Sequence, residues 1–202
     1  TDFSNLIFTL NGAEIKYGAF ITNVINFLIT AFVIFCMIKI INGVGDKFKK
    51  KILLAEHSPI RLLEYDFTWE GIRQWVTTHI VRHHEGCEKF VHTQRTDINE
   101  QLKGLDRDSF PQGLLNDMDM TCNAQAFINI SRKRRCFGCP SKETRQAWEA
   151  VMSYLKEVDP ILESKCVPEC IYRGFCPEFD RCCGYVNTEA YQKRLNEYRS
   201  IE

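Results

Sequence analysis

The chain has no net charge: its 202 residues carry 26 lysines and arginines against 26 aspartates and glutamates. A protein built to neutralise nucleic-acid phosphate needs a basic excess, so no nucleic-acid partner is expected. It also lacks low-complexity tracts and internal repeats. A hydrophobic share of 45% is enough to build a core, which excludes a disordered chain. One stretch lacks charge altogether, from Tyr17 to Ile38, while the rest is rich in it. The ten cysteines are just as unevenly placed: Cys36 alone lies in the apolar stretch, and the other nine follow from Cys87 onward. Disulfide scaffolds are short, secreted and loop-rich. These cysteines sit among helical patterns and a dense set of Arg and His, so they read as reduced and intracellular.

The apolar run from 17 to 38 spans about 30 Å as a helix, the thickness of a bilayer's hydrocarbon core. Lys16 and Lys39 bracket it, and Tyr17 suits an interface. No Ala-x-Ala exit follows, so it does not read as a cleaved signal peptide. A buried core helix is the other reading. Beyond it come Lys47, Lys49, Lys50 and Lys51, with Asp46 the one nearby acid. The positive-inside rule therefore predicts a single-pass membrane protein whose C-terminal domain is cytoplasmic. Thr22, Asn23, Asn26 and Thr30 recur at helical spacing on one face, a stripe that in lipid favours a protein partner.

The words around this helix are specific. Asp2-Phe-Ser-Asn-Leu, then Tyr17-Gly-Ala-Phe-Ile-Thr-Asn-Val-Ile-Asn-Phe-Leu-Ile, then Met37-Ile-Lys-Ile-Ile-Asn42 resemble the large-conductance mechanosensitive channel family. The resemblance covers residues 1–42, the periplasmic loop end and second transmembrane helix. That family's pore is lined mainly by its first transmembrane helix; the helix here resembles the outer, lipid-facing one.

Gly43-Val44-Gly45 and the lysines then suggest a linker over 43–51, leaving 52–202 as the soluble domain. From Glu64 to Glu70, Tyr65, Phe67 and Trp69 alternate with polar residues, which predicts a half-buried strand ended by Gly71. Ile72, Trp75, Val76, His79, Ile80 and His83 then follow helical spacing. Further helices are expected at 116–135, 141–158 and 187–200, the last two capped by Ser141 and Thr188. The fold class is α+β: one N-terminal transmembrane helix, then a mixed α/β domain with a cysteine-rich C-terminal part.

All five histidines, His57, His79, His83, His84 and His92, fall in one window. His79 and His83 are spaced i, i+4, as metal ligands on a helix would be. Arg82, Lys89 and Arg95 crowd the same window, and cations oppose a metal while favouring an anion such as phosphate. Anion binding is the stronger reading; capping of a helix end accounts for one or two of these residues only. The run Arg132-Lys133-Arg134-Arg135 reads in part as a solvated helix terminus. Cys136, Cys139, Cys170, Cys176 and Cys182 are weak zinc candidates, since their spacing fits no standard ribbon. Buried thiols or occasional disulfides are the alternative.

These residues also carry a second resemblance, over about residues 48–180. His57-Ser58-Pro59, the strand through Phe67, the helix into Arg82-His83-His84, Thr93-Gln94-Arg95, Asn123-Ala-Gln-Ala-Phe-Ile-Asn129 and Gln146-Ala-Trp-Glu149 resemble, in that order, a flavin-dependent thymidylate synthase of a divergent, phage-like branch. His84, Thr93 and Gln125 stand where the family has Arg, Ser and Arg. The resemblance implies reductive methylation of dUMP to dTMP, with FAD as cofactor and NADPH and methylenetetrahydrofolate as co-substrates. It implies that His57, Ser58, Arg82, His83, His84, Asn123, Gln125 and Asn129 hold FAD, and that Thr93 and Arg95 clamp the dUMP phosphate. Arg134 would sit against the uracil as the catalytic residue, stabilising the anion that develops there. Tetrameric self-association is implied as well. Two unrelated family wordings meeting at Gly43 would also arise from a chimera, without catalysis.

Overall fold

The computed structural model describes residues 8–10, 13–15 and 17–200. The chain divides into two units, residues 1–48 and 49–202. The quoted Asp2-Phe-Ser-Asn-Leu wording and Lys16 lie outside the described residues.

In the first unit, β1 (Phe8–Leu10) pairs antiparallel with β2 (Ala13–Ile15). Helix α1 follows, Tyr17–Leu54. Its most apolar window has a mean hydropathy of 2.5 and none of it is buried. Phe20, Phe27 and Phe32 are each about two-thirds exposed or more. A soluble core helix would cover these rings, so the exposed apolar surface goes with lipid. On the polar stripe, Thr30 Oγ1 donates to the Asn26 carbonyl at 2.8 Å, satisfying its hydroxyl within the helix. The joint expected at Gly43-Val44-Gly45 is helical. Each glycine costs about 1 kcal/mol of helix propensity, and long apolar and lysine-rich flanks on both sides outweigh that.

The second unit is built on an antiparallel sheet of order β3-β5-β4, comprising β3 (Glu64–Arg73), β4 (Cys87–Val91) and β5 (Leu115–Asn123). The strand expected over 64–70 is present and longer. Gly71 does not end it but sits in a bulge between Trp69 and Ile72, at φ +63°, with its N–H donating to Asp117. Residues 116–123, expected as the start of a helix, form β5 instead. Asn116, Met118, Met120 and Cys122 are buried and alternate with Asp117, Asp119 and Thr121, a period of two that a helix cannot place on one face.

Helix α2 is short, Gln74–Ile80, because Ile72 and Arg73 still belong to the strand. Helix α3 runs Ala124–Arg134, capped by Asn123, whose side chain accepts from the Ala126 N–H. Helix α4, Lys142–Val158, begins at Ser141, which accepts from the Thr144 N–H as its sequence predicts. The short α5 (Pro160–Lys165) and α6 (Glu169–Arg173) follow. Helix α7, Glu189–Arg199, is capped by Thr188. One face of the sheet packs on α3 and α4 through aromatic rings: Phe127 lies 5.5 Å from Tyr65, and 5.6 Å from both Phe67 and Trp148. Trp148 Nε1 donates to Ser131 Oγ and Trp69 Nε1 to the Ala147 carbonyl, so both buried indoles are satisfied.

Candidate functional site

Two features lie along α3, one against its first turns and one at its last. The first is a cavity of about 580 Å³ lined by Glu56, Arg61, Glu85, Gly86, Asn123, Gln125 and Asn129. Its size suits a small organic ligand. Helical spacing within α3 turns Gln125 and Asn129 to the same side. Gln125 Nε2 donates to Glu56 at 2.6 Å and to Asn129 Oδ1 at 3.3 Å. Arg132 ion-pairs with Glu56 and donates to Asn129 at 3.2 Å, neutralising the carboxylate. Arg132 Nε is buried without a partner, and its guanidinium lies 3.5 Å over the Tyr172 ring. Glu56 sits at φ +51°, a conformation a glutamate adopts only where its surroundings hold it.

Gly86, at φ +71°, presses so closely on Asn123 that a Cβ would fall 2.7 Å from its side-chain oxygen and nitrogen. Glycine is required there on both counts.

The second feature is cationic. Arg134, at the end of α3, donates from Nε to His83 Nε2 at 2.9 Å and from Nη2 to the His79 carbonyl at 2.7 Å. Arginine can only donate, so Nε2 of His83 accepts and its proton sits on Nδ1. Burial, then Arg134 and Lys89, push the His83 pKa down to about 4. Burial, Arg134 and Arg82 lower His79, whose Nδ1 lies 2.9 Å from Thr144 Oγ1. Among the described residues, Arg82, Lys89 and Arg134 form no ion pair.

The i, i+4 geometry expected for His79 and His83 is not realised. His83 lies in the turn beyond α2, and each imidazole faces a different partner. Arg82 and His84 are exposed, and neither they nor His83 line the cavity. His57 heads the turn Ser58–Leu62 without a side-chain cap bond. The structure thus brings Asn123, Gln125 and Asn129 together at the cavity and pairs Arg134 with His83. It leaves His57 and Ser58 off the lining, although Glu56 and Arg61 flank them on it. Thr93 and Arg95 stand apart: Arg95 grips Asp97 at 3.0 and 2.5 Å, and the Arg95 N–H donates to Thr93 Oγ1. A phosphate there would have to displace the Asp97 carboxylate.

Glu56, Arg61 and Glu85 were not foreseen. The sequence signal for Arg61 was its place in His57-Ser58-Pro59-Ile60-Arg61; Glu56 and Glu85 carried none. The lining sets the donors of Arg61, Asn123, Gln125 and Asn129 beside the carboxylates of Glu56 and Glu85. At the other end of α3, Cys136, Cys170, Cys176 and Cys183 line a small cavity of about 30 Å³. Among the described residues, no three Cys, His, Asp or Glu side chains are placed to hold a metal.

Comparison with known proteins bears on the N-terminal part. Residues 1–73 match the family Large-conductance mechanosensitive channel, MscL, a match that runs through α1 and β3 rather than stopping at residue 42. The chain is similar to the large-conductance mechanosensitive channel of Limosilactobacillus reuteri, 52% identical over 50 residues, which are 25% of this chain and 41% of that protein. It is also similar to that of Limosilactobacillus fermentum, 44% over 64 residues (32% and 50%), and of Geobacillus kaustophilus, 41% over 69 residues (34% and 53%). The chain spans about half the length, or less, of these curated relatives. No solved structure matches it. This is a membrane protein whose residues 1–73 are similar to the large-conductance mechanosensitive channel family, with a mixed α/β unit over 49–202.

Proposed function

We propose that the N-terminal segment works as the lipid-facing helix of a mechanosensitive-channel-type assembly. It crosses the bilayer once, associates with copies of itself, and carries the α+β domain on the cytoplasmic side. The observation that carries this is α1, whose most apolar window has a mean hydropathy of 2.5, is unburied and lies within the matched residues 1–73. Lys47, Lys49, Lys50 and Lys51 supply the cytoplasmic bias. The test is carbonate extraction of membranes, with a membrane-impermeant maleimide applied to intact and lysed spheroplasts. Retention in the pellet is expected, with Cys182 and Cys183, which are exposed, labelled only after lysis. Release by carbonate, or labelling of those thiols in intact spheroplasts, overturns the topology.

A second reading concerns residues 52–202: a thymidylate synthase-like domain that binds FAD and dUMP and makes dTMP with methylenetetrahydrofolate and NADPH. Two observations favour it. The amides of Asn123, Gln125 and Asn129 line one cavity, and Arg134 with Lys89 makes an anion-favouring cluster around His83. When bound, the flavin would carry the hydride chemistry. The chain's own residues would bind its polar edges and offset negative charge. The visible spectrum of the detergent-purified chain titrated with FAD and then dUMP decides it. A flavin band that shifts with dUMP is expected; a colourless protein that takes up no FAD removes the reading and leaves a chimera without catalysis.

A further inference from the structure

The strand pair β4–β5 places two cysteines directly opposite each other. Cys87 and Cys122 are register partners. The Asn123 N–H donates to the Gly86 carbonyl at 2.9 Å, and the His92 N–H to the Asp117 carbonyl at 2.9 Å. Those residues therefore form hydrogen-bonded pairs, and every alternate pair between them, including Cys87 with Cys122, is of the non-hydrogen-bonded kind. Such partners have Cα atoms about 4.5 Å apart with side chains on one face. That separation falls within the range a disulfide spans, about 4.4–6.8 Å.

The two thiols differ in access. Cys122 is buried in the core, whereas Cys87 is half-buried at the sheet edge. Lys89 Nζ lies 3.2 Å from Cys87 Sγ and also reaches the His83 carbonyl. The Cys87 Sγ lies 3.1 Å from that carbonyl, to which the protonated thiol donates. Ionised, it accepts from Lys89 and from Cys122.

We propose that Cys87 and Cys122 are a redox-active dithiol, with Cys87 as the entry thiol and Cys122 as the resolving one, oxidised by low-molecular-weight disulfides. The Cys87 thiolate attacks one sulfur of the small disulfide, forming a mixed disulfide and expelling one thiolate, which takes up a proton. The Cys122 sulfur then attacks Cys87 Sγ and expels the second thiolate, which takes up the Cys122 proton. The sum is one small disulfide reduced to two thiols and one protein disulfide formed. The hydrogen bond from Cys122 and then Lys89 lower the Cys87 pKa, against burial and Glu88, which raises its reactive thiolate fraction. The pair lies next to both features of the candidate site: Gly86 contacts Asn123 in the cavity, and His83 pairs with Arg134.

The test is oxidised glutathione added at pH 7 to the detergent-purified full chain, followed by maleimide quenching and non-reducing tryptic mapping. Peptides 83–89 and 108–132 each contain one cysteine, and their cross-linked product is expected before any other. Cys122→Ser should stop at the glutathione adduct on Cys87. Lys89→Met should slow the reaction about tenfold, through the lost thiolate fraction. The proposal falls if both thiols stay alkylatable while other cysteines oxidise, if Cys87 links elsewhere, or if Lys89→Met reacts at the parental rate.

Discussion

At the residue scale, the buried Asp159 shows how one side chain ties three elements together. It accepts from Lys49 Nζ at 2.6 Å and Tyr65 Oη at 2.5 Å, and it caps α5 through the Leu162 N–H at 3.1 Å. Burial raises its pKa, yet Lys49 and Tyr65 outweigh it and hold the carboxyl below its ordinary 3.8. A depressed carboxylate contributes stability that is full above the unfolded value and is lost as pH falls through the folded one. Asp159→Ala should therefore cost about 3 kcal/mol, from a broken buried pair and a lost cap. The loss should be largest at neutral pH and should shrink below pH 4, as urea melts in detergent at both pH values would show. His83 offers a second residue-scale check. Burial and Arg134 keep it neutral, so its imidazole should titrate near 4 by NMR and move toward 6.5 in Arg134→Ala. An unshifted His83 in that variant would remove Arg134 as a cause.

At the scale of elements, two kinds of glycine should respond oppositely to alanine. Gly43 and Gly45 lie in α1 with nothing near an added Cβ, so Gly43→Ala and Gly45→Ala should each stabilise the helix by about 0.5–1 kcal/mol. Gly86→Ala meets Asn123 at 2.7 Å and a positive φ, so it should destabilise by about 2 kcal/mol or more and disturb the α3 cap. Thermal unfolding of the three variants checks both signs. The same comparison shows what the sequence made legible. The caps at Ser141 and Thr188 were visible because side chain and helix start are neighbours in sequence. Strand β5 was missed because Asn123 opens a true helix, and the alternation ahead of it was absorbed into that helix. Asn123, Gln125 and Asn129 share a cavity because the cap and two residues four apart on one helix face lie on the same side. Glu56 joins them across 69 residues of sequence to Gln125, a pairing that only tertiary packing makes.

At the scale of the whole molecule, the boundary between the two units falls inside a helix, at residue 48, and that fixes where the chain can be cut. Lys49 reaches Asp159, Leu53 is 1% exposed within the core, and the His57 N–H donates to the Ile52 carbonyl. The last turns of α1 are thus part of the second unit's packing, although the apolar stretch before them is not buried at all. Deleting residues 1–48 should remove the membrane-seeking surface and leave a folded domain that stays in the supernatant without detergent. Deleting residues 1–54 removes the buried Leu53 and the partner of Asp159 as well. The leucine alone is worth about 2–5 kcal/mol, and the stranded carboxylate adds to it. A domain with the usual reserve of about 5–15 kcal/mol cannot lose both without a large drop in its urea midpoint. If the shorter chain instead unfolds at the same urea concentration as the longer one, the end of α1 contributes nothing to the core. If the 1–48 deletion still sediments with membranes, the second unit carries a membrane contact of its own.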